Sequence, residues 1–298
     1  MKKRVEKTQL PITEELNPRS KDLDTLSTGD IVKVMLEEDK NVVKAVSREK
    51  ENIARAVELI VERLSKGGRL IFIGAGTSGR LGVMEAAECP PTFGTPSGKV
   101  CGIIAGGKKA LWRSIEGAED SKSEAKKALK KLNLGRNDVV VGIAASSTTP
   151  FVQAGLSYAS KLGSATVLIT SNPVSCCVYD VCISLVVGPE VIAGSTRMKA
   201  GTATKMVLNI LTTASMVRLG KTYGNLMVEV QPNSKKLRNR AKKIVMQILG
   251  VDSKKAARLL RDSGWNVKIA LVMGKRNVGY KEAKRLLAKN NGFLRGLI

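Results

Sequence analysis

Five short apolar runs alternate with stretches of helical periodicity through the middle of the chain. The runs cover residues 69–74, 99–107, 138–146, 164–172 and 181–188. Strands that are apolar on both faces and separated by helices are typical of a parallel sheet covered on both sides. The pattern therefore predicts a doubly wound α/β fold, in which ligands bind beyond the carboxyl ends of the strands.

Amphipathic stretches predict helices before, between and after these strands. Before the first strand, Ser27 or Thr28 is expected to cap a helix from Asp30 to Glu38, and a longer helix covers residues 40–65. The other predicted helices cover residues 79–88, 121–132, 150–162, 195–219, 235–249, 253–261, 265–273 and 280–289. The last four predict a small C-terminal helical module.

Three polar segments lie where an anionic ligand is expected to bind. GAGTSG (74–79) and ASSTTP (145–150) follow strands, and GSTRMK (194–199) opens a predicted helix. Glycines permit close backbone approach, while hydroxyls and N–H groups at a helix start donate to phosphoryl oxygens. The candidate binding residues are Gly76, Thr77, Ser78, Gly79, Ser146, Ser147, Thr149, Ser195 and Lys199. Two hydroxyl-rich turns in one sheet indicate a phosphorylated small molecule.

Simpler interpretations of the three segments stay open. The first is also consistent with a structural turn, the second with helix capping, and the third with N-capping by Ser195. A dinucleotide site is disfavoured, because IIAG (103–106) ends the next strand without the acidic residue that would bind a ribose.

Two glutamates are candidates for acid–base catalysis. The residue before Pro90 is disfavoured in the helical region, so the preceding helix is predicted to end near Glu88. A carboxyl at the negative end of a helix tends to have a raised pKa, which suits a general acid. Glu119 follows a break at Gly117 and is the second candidate. Glu85 is expected to be a solvated or lysine-paired surface acid.

Composition excludes several classes of chemistry. The chain has no histidine, which rules out Ser-His-Asp triads and histidine-containing zinc sites. Its five cysteines are not spaced as a disulfide framework, so free buried thiols are expected. No run of about 18 apolar residues is long enough to span a bilayer. The basic start MKKRVEK leads into no apolar segment, which predicts a cytoplasmic protein without a signal peptide.

The charge is unusually high, at +24 for 298 residues. Residues 235–298 carry 18 lysines and arginines against 3 acids, a balance of +15. Nucleic-acid binding is one hypothesis, because phosphate contacts from lysine and arginine dominate such binding. A solvated face on amphipathic helices is favoured instead, since Trp265, Tyr280 and Phe293 lie among apolar residues like core anchors. Nucleic acid is therefore an unlikely partner.

Long ungapped motifs resemble the N-acetylmuramic acid 6-phosphate etherases. They are GAGTSGRLG (74–82), ECPPT (88–92), IAGG (104–107), EGAED (116–120), GPEV (188–191) and GSTRMKAGTA (194–203). The resemblance also covers LNPRSKDLDTLST (16–28) and NGFLR (291–295). It therefore extends over nearly the whole chain.

The resemblance implies a sugar isomerase (SIS) fold, which is a flavodoxin-like, five-stranded parallel sheet that binds phosphosugars. It divides the chain into an N-terminal arm with helices (1–50), a SIS domain (51–230) and a C-terminal helical module (231–298). It also implies a homodimer, with no metal and no organic cofactor.

The implied reaction is cleavage of the lactyl ether of N-acetylmuramic acid 6-phosphate during cell-wall sugar recycling. In the family's mechanism the C2 proton is removed, lactate leaves C3, and water adds back. The family's two glutamates fall on Glu88, as proton donor, and Glu119, as the second acid–base residue. The residues that would hold the phosphate are Ser78, Ser146 and Thr149, with Thr77 nearby.

This chain departs from the family at one loop. Relatives usually read ASGRTP where residues 145–150 read ASSTTP, so Ser147 and Thr148 replace a glycine and an arginine. Losing the glycine removes backbone freedom, and losing the arginine removes an anion contact. The altered loop keeps a second hypothesis open, a non-catalytic phosphosugar-binding regulator of the glucokinase-regulatory type.

Overall fold

The computed structural model describes residues 10–232 and 234–298, so the first nine residues of the predicted arm lie outside it. Contacts divide the chain into two compact units. The first contains the residues up to Ala86 together with Val100–Leu211, and the second contains Ala87–Lys99 together with Thr212–Ile298. The division into an N-terminal arm with helices (1–50), a SIS domain (51–230) and a C-terminal module (231–298) stays a prediction.

The first unit contains a five-stranded parallel sheet. Its strands are β1 (Leu70–Gly74), β2 (Val100–Ile104), β3 (Val139–Ile143), β4 (Ala165–Thr170) and β5 (Val181–Ser184). They pair in the order β2-β1-β3-β4-β5, with every neighbouring pair parallel. This is the flavodoxin-like order of a doubly wound fold, so the predicted fold class is confirmed. Each strand begins within one residue of its predicted start.

Helices precede, connect or follow the strands of this sheet. They are α1 (Thr28–Arg48), α2 (Lys50–Ser65), α3 (Gly76–Phe93), α4 (Lys122–Lys131), α5 (Pro150–Lys161) and α6 (Lys199–Arg218). Strands β1, β3 and β4 are buried along their whole length. Ile71, Ile73 and Val140 form one apolar cluster with Phe151 and Leu156 of α5. Burial of these strands on both faces explains their uninterrupted apolar sequence.

The first two helices meet ten residues later than the sequence pattern predicted. Ser27 caps α1, since its Oγ accepts from the N–H of Asp30 at 3.2 Å, and the helix then continues to Arg48. The expected break after Glu38 is therefore wrong. No glycine or proline lies near residue 39, and the buried stripe of Val42 and Val46 continues past it, so the helix has no reason to stop there.

Helix α3 does not end near Glu88 as predicted. It runs to Phe93 with Pro90 and Pro91 inside it, and the N–H of Gly94 still donates to the Pro90 carbonyl at 3.0 Å. Proline removes two helical donors here without ending the helix, and Phe93 is buried beyond it. Glu88 therefore does not occupy the last turn of α3, where the negative end of the helix dipole lies.

The second unit is mainly helical. It contains the ribbon of β6 (Thr222–Tyr223) and β7 (Leu226–Met227), and the helices α7 (Lys235–Leu249), α8 (Ser253–Asp262), α9 (Val267–Arg276) and α10 (Tyr280–Lys289). The four predicted C-terminal helices are confirmed, each within three residues at either end. Of the expected aromatic anchors, Trp265 packs against the core of this unit, whereas Tyr280 is 41% exposed.

The cysteines differ from the expectation of free buried thiols. Cys177 and Cys182 form a disulfide, and Cys176 is exposed. The connection from β4 to β5 folds back on itself, which brings the Cα atoms of the bonded pair to 5.9 Å. Only Cys89 is a buried free thiol, since Cys101 is half-buried. No helix in the described parts of the chain is long and apolar enough to cross a membrane.

An ion pair joins the starts of β1 and β3. The Arg69 guanidinium donates to both carboxylate oxygens of buried Asp138, at 3.1 and 2.7 Å. Burial alone would raise the pKa of Asp138, but hydrogen bonds from Arg69 and from the N–H of Gly135 outweigh burial and lower the pKa below its ordinary value. The carboxylate therefore stabilises the folded state most when it is ionised.

Replacing Asp138 with asparagine is expected to lower the free energy of unfolding by about 2 kcal/mol at pH 7. The contribution of a carboxyl with a lowered folded-state pKa is present above its unfolded pKa and is lost as the pH falls through the folded pKa. The difference between wild type and Asp138→Asn should therefore shrink below about pH 4. Urea unfolding at pH 7, 5 and 4 measures it, with the exposed Asp24→Asn as a control that shows no such trend.

Candidate functional site

The two hydroxyl-rich loops leave the sheet side by side. Gly74, the last residue of β1, pairs with Ile104 of β2 on one side and with Ile143 of β3 on the other. The segments 75–79 and 144–149 therefore leave neighbouring strands at the same carboxyl edge. This is the position where strand order reverses, and doubly wound folds bind ligands there.

The first loop is a tight turn into α3, which begins at Gly76 rather than at the predicted residue 79. A Cβ on Gly79 would lie 2.6 Å from Ile104 Cγ1, and a Cβ on Gly74 would lie 2.7 Å from the Gly79 nitrogen. Only glycine fits at either position. Thr77 and Ser78 are partly exposed within the first helical turn, where free N–H groups and the helix dipole favour an anion.

The second loop carries its hydroxyls close together. Ser146 Oγ lies 3.5 Å from Thr149 Oγ1 and accepts from the Thr148 hydroxyl at 3.2 Å and from the Thr148 N–H at 3.3 Å. Thr149 precedes α5 but makes no side-chain cap hydrogen bond, so the helix does not use its hydroxyl. Pro150 occupies the first helical position, as its sequence position predicts.

Ser147 adopts the backbone conformation that glycine favours. Its φ is +66°, in the left-handed region, at the position where the family resemblance predicts a glycine. Ser147→Gly is expected to raise the free energy of unfolding by about 0.5–1 kcal/mol, because the Cβ penalty disappears. Urea unfolding measures the change. Ser175→Gly, on an exposed loop with no positive φ, is the matched control and is expected to lose stability. A loss of stability in Ser147→Gly as well would contradict the interpretation that Ser147 is strained.

The third polar segment precedes α6 instead of opening it. Helix α6 begins at Lys199 rather than at the predicted residue 195, so the simpler interpretation, in which Ser195 caps this helix, is wrong. The carboxylate of Glu190 takes that role and accepts from the N–H groups of Lys199 and Ala200 at 3.1 and 2.9 Å. Burial raises the pKa of Glu190 against the opposing effect of these donors.

Lys199 is a buried structural cation. Its side chain is 1% exposed and forms an ion pair with Glu38, and Nζ also donates to the Pro189 carbonyl at 2.7 Å. The expectation that Lys199 contacts substrate is therefore corrected. The start of α6 nevertheless reaches the first loop, because a Cβ on Gly201 would lie 3.6 Å from Thr77 Cγ2. Ser195, four residues before this helix, is partly exposed.

The three glutamates occupy different environments. Glu85 is 5% exposed and accepts from the Asn209 amide at 2.6 Å, so the expected surface acid is wrong. Glu88 lies on the exposed side of α3, in the second unit. Glu119 is exposed in the first unit, on the turn Ala118–Asp120. Ala118 packs against the apolar cluster that contains Phe151 at the start of α5, and this places the turn on that helix.

One residue that supports this edge, Arg80, was not identified from the sequence. Arg80 donates to the carbonyls of Ala110, Leu111 and Arg113, and so fixes the turn after β2. Its partners lie about 30 positions away and offer only backbone oxygens, so no side-chain pattern could have revealed the contact. Within the described residues, no three His, Cys, Asp or Glu side chains cluster as metal ligands would.

Comparison with known proteins identifies the family. A sequence model of the N-terminal SIS domain of glucokinase regulatory protein matches residues 52–160. N-acetylmuramic acid 6-phosphate etherases match far more of the chain. The enzyme of Actinobacillus pleuropneumoniae serotype 7 is 51% identical over 95% of this chain and 94% of its own length. This chain belongs to the N-acetylmuramic acid 6-phosphate etherase family.

A second etherase, from Clostridium botulinum strain Okra, is 49% identical over 95% of this chain and 94% of its own. Among solved structures, a phosphoheptose isomerase from Neisseria gonorrhoeae covers 63% of this chain and 99% of its own, with 16% identity and a TM-score of 0.48. The strand order and the match to the SIS-domain model agree with the SIS-type fold that the family resemblance implies.

Proposed function

We propose that this etherase-family protein is a carbon–oxygen lyase that cleaves the D-lactyl ether of N-acetylmuramic acid 6-phosphate. The products are N-acetylglucosamine 6-phosphate and D-lactate, as expected in cell-wall amino-sugar recycling. The observation that carries the proposal is 51% identity, over nearly the whole chain, to a protein named for that activity. The two adjoining hydroxyl-rich loops at the carboxyl edge of the sheet support it.

The phosphate of the sugar is proposed to bind between these loops. Ser78 and Thr77 would donate from the first turn of α3, and Ser146 and Thr149 from the second loop. Gly76 and Gly79 would let the phosphate approach the backbone closely, with Ser147 and Ser195 at the margin. The short distance between Ser146 Oγ and Thr149 Oγ1, 3.5 Å, is suited to two donors on one phosphoryl group.

The reaction needs one proton removed and another supplied. Opening of the sugar ring places an aldehyde at C1, so the adjacent C2–H is acidic enough for a carboxylate base. The electrons of that C–H bond form the C2–C3 double bond, and the C3–O bond breaks. Glu88 is proposed to protonate the departing lactate oxygen, with Glu119 as the second acid–base residue. Water then restores hydrogen to C2 and hydroxyl to C3.

A lactate assay tests the proposal directly. Purified protein incubated with N-acetylmuramic acid 6-phosphate is expected to release one D-lactate for each N-acetylglucosamine 6-phosphate formed. Binding of the phosphosugar without release of lactate would support the regulator hypothesis instead. A protein that neither binds the phosphosugar nor releases lactate would overturn both the lyase proposal and the regulator hypothesis.

The chain is also proposed to form a homodimer. Helix α1 exposes apolar side chains along one side, with Val32 at 50%, Leu36 at 62% and Val43 at 57% exposure. A second copy would remove this surface from water. Size-exclusion chromatography with light scattering should give about twice the 31.9 kDa chain mass. A mass of one chain at micromolar concentration would contradict the proposal.

Nucleic-acid binding is the lowest-ranked alternative, and it depends on the basic surface of the second unit. Lys235, Lys236, Arg240 and Lys243 line one hollow on α7, and all four side chains are exposed. We favour a solvated surface, and we propose that the protein acts in the cytoplasm. Binding to duplex DNA that weakens steeply with added salt would revive the alternative, and absence of binding at low salt would remove it.

A further inference from the structure

The carbonyl of Ala145, in the second loop, is held by an unusual number of donors. It accepts from Thr170 Oγ1, from the Ser171 N–H and from Asn172 Nδ2, each at 3.0 Å. A carbonyl oxygen has two lone pairs, so these three donors fix its direction more firmly than a single turn hydrogen bond would. All three donors lie at the end of β4 or in the segment that follows it.

This carbonyl sets the direction of the next N–H. The peptide between Ala145 and Ser146 is trans, so its C=O and N–H point in opposite directions. The carbonyl points towards β4, on one side of β3, and β1 lies on the other side. The Ser146 N–H therefore points away from β4, to the side of β3 on which β1 lies. Among the described residues it has no hydrogen-bond partner within the chain.

Asn172 is oriented in turn by the N-terminal arm. Its Nδ2 also donates to Thr13 Oγ1 at 3.1 Å, and its Oδ1 accepts from the Thr13 N–H at 3.5 Å. Asn172 is 6% exposed and Thr13 is 2% exposed. Both amide hydrogens are thus used, one on Ala145 and one on Thr13. Without the Thr13 hydroxyl, one buried amide hydrogen of Asn172 would lack its hydrogen-bond acceptor.

The arm that carries Thr13 is anchored along its length. The Thr13 carbonyl accepts from the Gly194 N–H at 3.2 Å. Further along, the Asn17 amide donates to Glu38 at 2.8 Å and to the Pro189 carbonyl at 3.1 Å, and the Ser20 hydroxyl donates to the Val191 carbonyl at 2.8 Å. Thr13 is therefore held in place independently of the second loop.

We propose that Thr13 and Asn172 are positioning residues for phosphosugar binding. They act through the Ala145 carbonyl and aim the Ser146 N–H at the phosphate, without touching the substrate themselves. The N-terminal arm is then part of the binding apparatus. The inference rests on the proposed function, because the phosphate is what the aimed N–H would bind.

Two substitutions test the inference in the full-length protein. Thr13→Val removes the hydroxyl and keeps the side-chain shape, and Asn172→Ala removes the amide. Each is expected to raise KM about tenfold, the effect of one lost hydrogen bond. Because the phosphate is remote from C2 and C3, kcat should stay within about twofold. Thr13→Ser retains a hydroxyl and is expected to restore KM.

Matched controls share the chemistry but lie elsewhere. Thr25→Val removes an exposed hydroxyl of the same arm, which donates to the Asp22 carbonyl. Asn137→Ala removes an amide that donates to the Lys66 carbonyl, beside the amino ends of the strands. Both controls are expected to keep the wild-type KM.

A binding measurement separates this inference from the proposed function. Calorimetric titration with N-acetylglucosamine 6-phosphate is expected to give a Kd about tenfold weaker for Thr13→Val than for wild type. Wild type that neither binds this sugar nor releases lactate would overturn the proposed function. Active wild type together with an unchanged KM and Kd in Thr13→Val would overturn the positioning role. So would a fall in kcat alone. If Asn172→Ala fails to fold, the comparison of Thr13→Val with Thr13→Ser still tests the positioning role.

Discussion

Glu88→Gln and Glu119→Gln are each expected to lower the rate of lactate release by about 10²- to 10⁴-fold, the usual contribution of a positioned acid or base. Glutamine keeps the shape of the side chain but cannot donate or accept the transferred proton. The phosphosugar Kd should change little, since neither glutamate is proposed to bind the phosphate. A coupled D-lactate assay measures the rate, and calorimetry measures the binding.

The control for both variants is Glu124→Gln on α4. Glu124 is an exposed acid that pairs with Lys127 at 3.4 Å and lies outside the motifs shared with the family. It is expected to leave the rate unchanged. Normal lactate release by Glu88→Gln and Glu119→Gln would refute the assigned roles while leaving the activity itself in place.

Glu38→Ala is expected to lower the free energy of unfolding by about 3–5 kcal/mol, because it leaves the ammonium of Lys199 buried without its carboxylate. Glu38 is 4% exposed and Lys199 is 1% exposed, so solvent cannot replace the lost partner. The Asn17 amide loses an acceptor in the same substitution. Urea unfolding at pH 7 measures the loss.

The neighbouring residue provides a matched control. Glu37 also pairs with a lysine, Lys40, at 2.6 Å, but on the exposed side of α1. Glu37→Ala should leave the unfolding midpoint nearly unchanged, because exposed ion pairs are weak. The double variant Glu38→Met/Lys199→Met should recover part of the loss, since replacing both charges leaves neither unpaired. A double variant less stable than Glu38→Ala would contradict the ion-pair explanation.

The sheet was predictable because its strands are buried on both faces. Runs such as LIFIG (70–74) and VVVGI (139–143) have no polar residue to make them ambiguous. Three of the four C-terminal helices were equally predictable, because Ser234, Asp252 and Asn266 mark their starts with side-chain caps. The strand order then brings two polar loops to one edge, as expected for the neighbouring parallel strands β1 and β3 at a switch point.

Two of the errors, at Lys199 and Glu85, have the same cause, which is a partner far away in the sequence. Lys199 looked like a substrate contact because its counter-ion, Glu38, precedes it by 161 positions. Glu85 looked like a surface acid because Asn209 follows it by 124 positions. Propensity misled in a different way at Pro90 and Pro91, which usually end a helix but lie inside α3. Local rules carry no information about such tertiary contacts.

The pairing of Gly74 with Ile143 also has a consequence for how the protein folds. The two loops that would hold the phosphate are about 70 residues apart in the chain, and they become neighbours only when β1 and β3 pair. Long-range parallel pairing is intrinsically slow, because loop-closure entropy is lost before the contacts form. The binding edge is therefore expected to be completed late, after local helices such as α5 have formed.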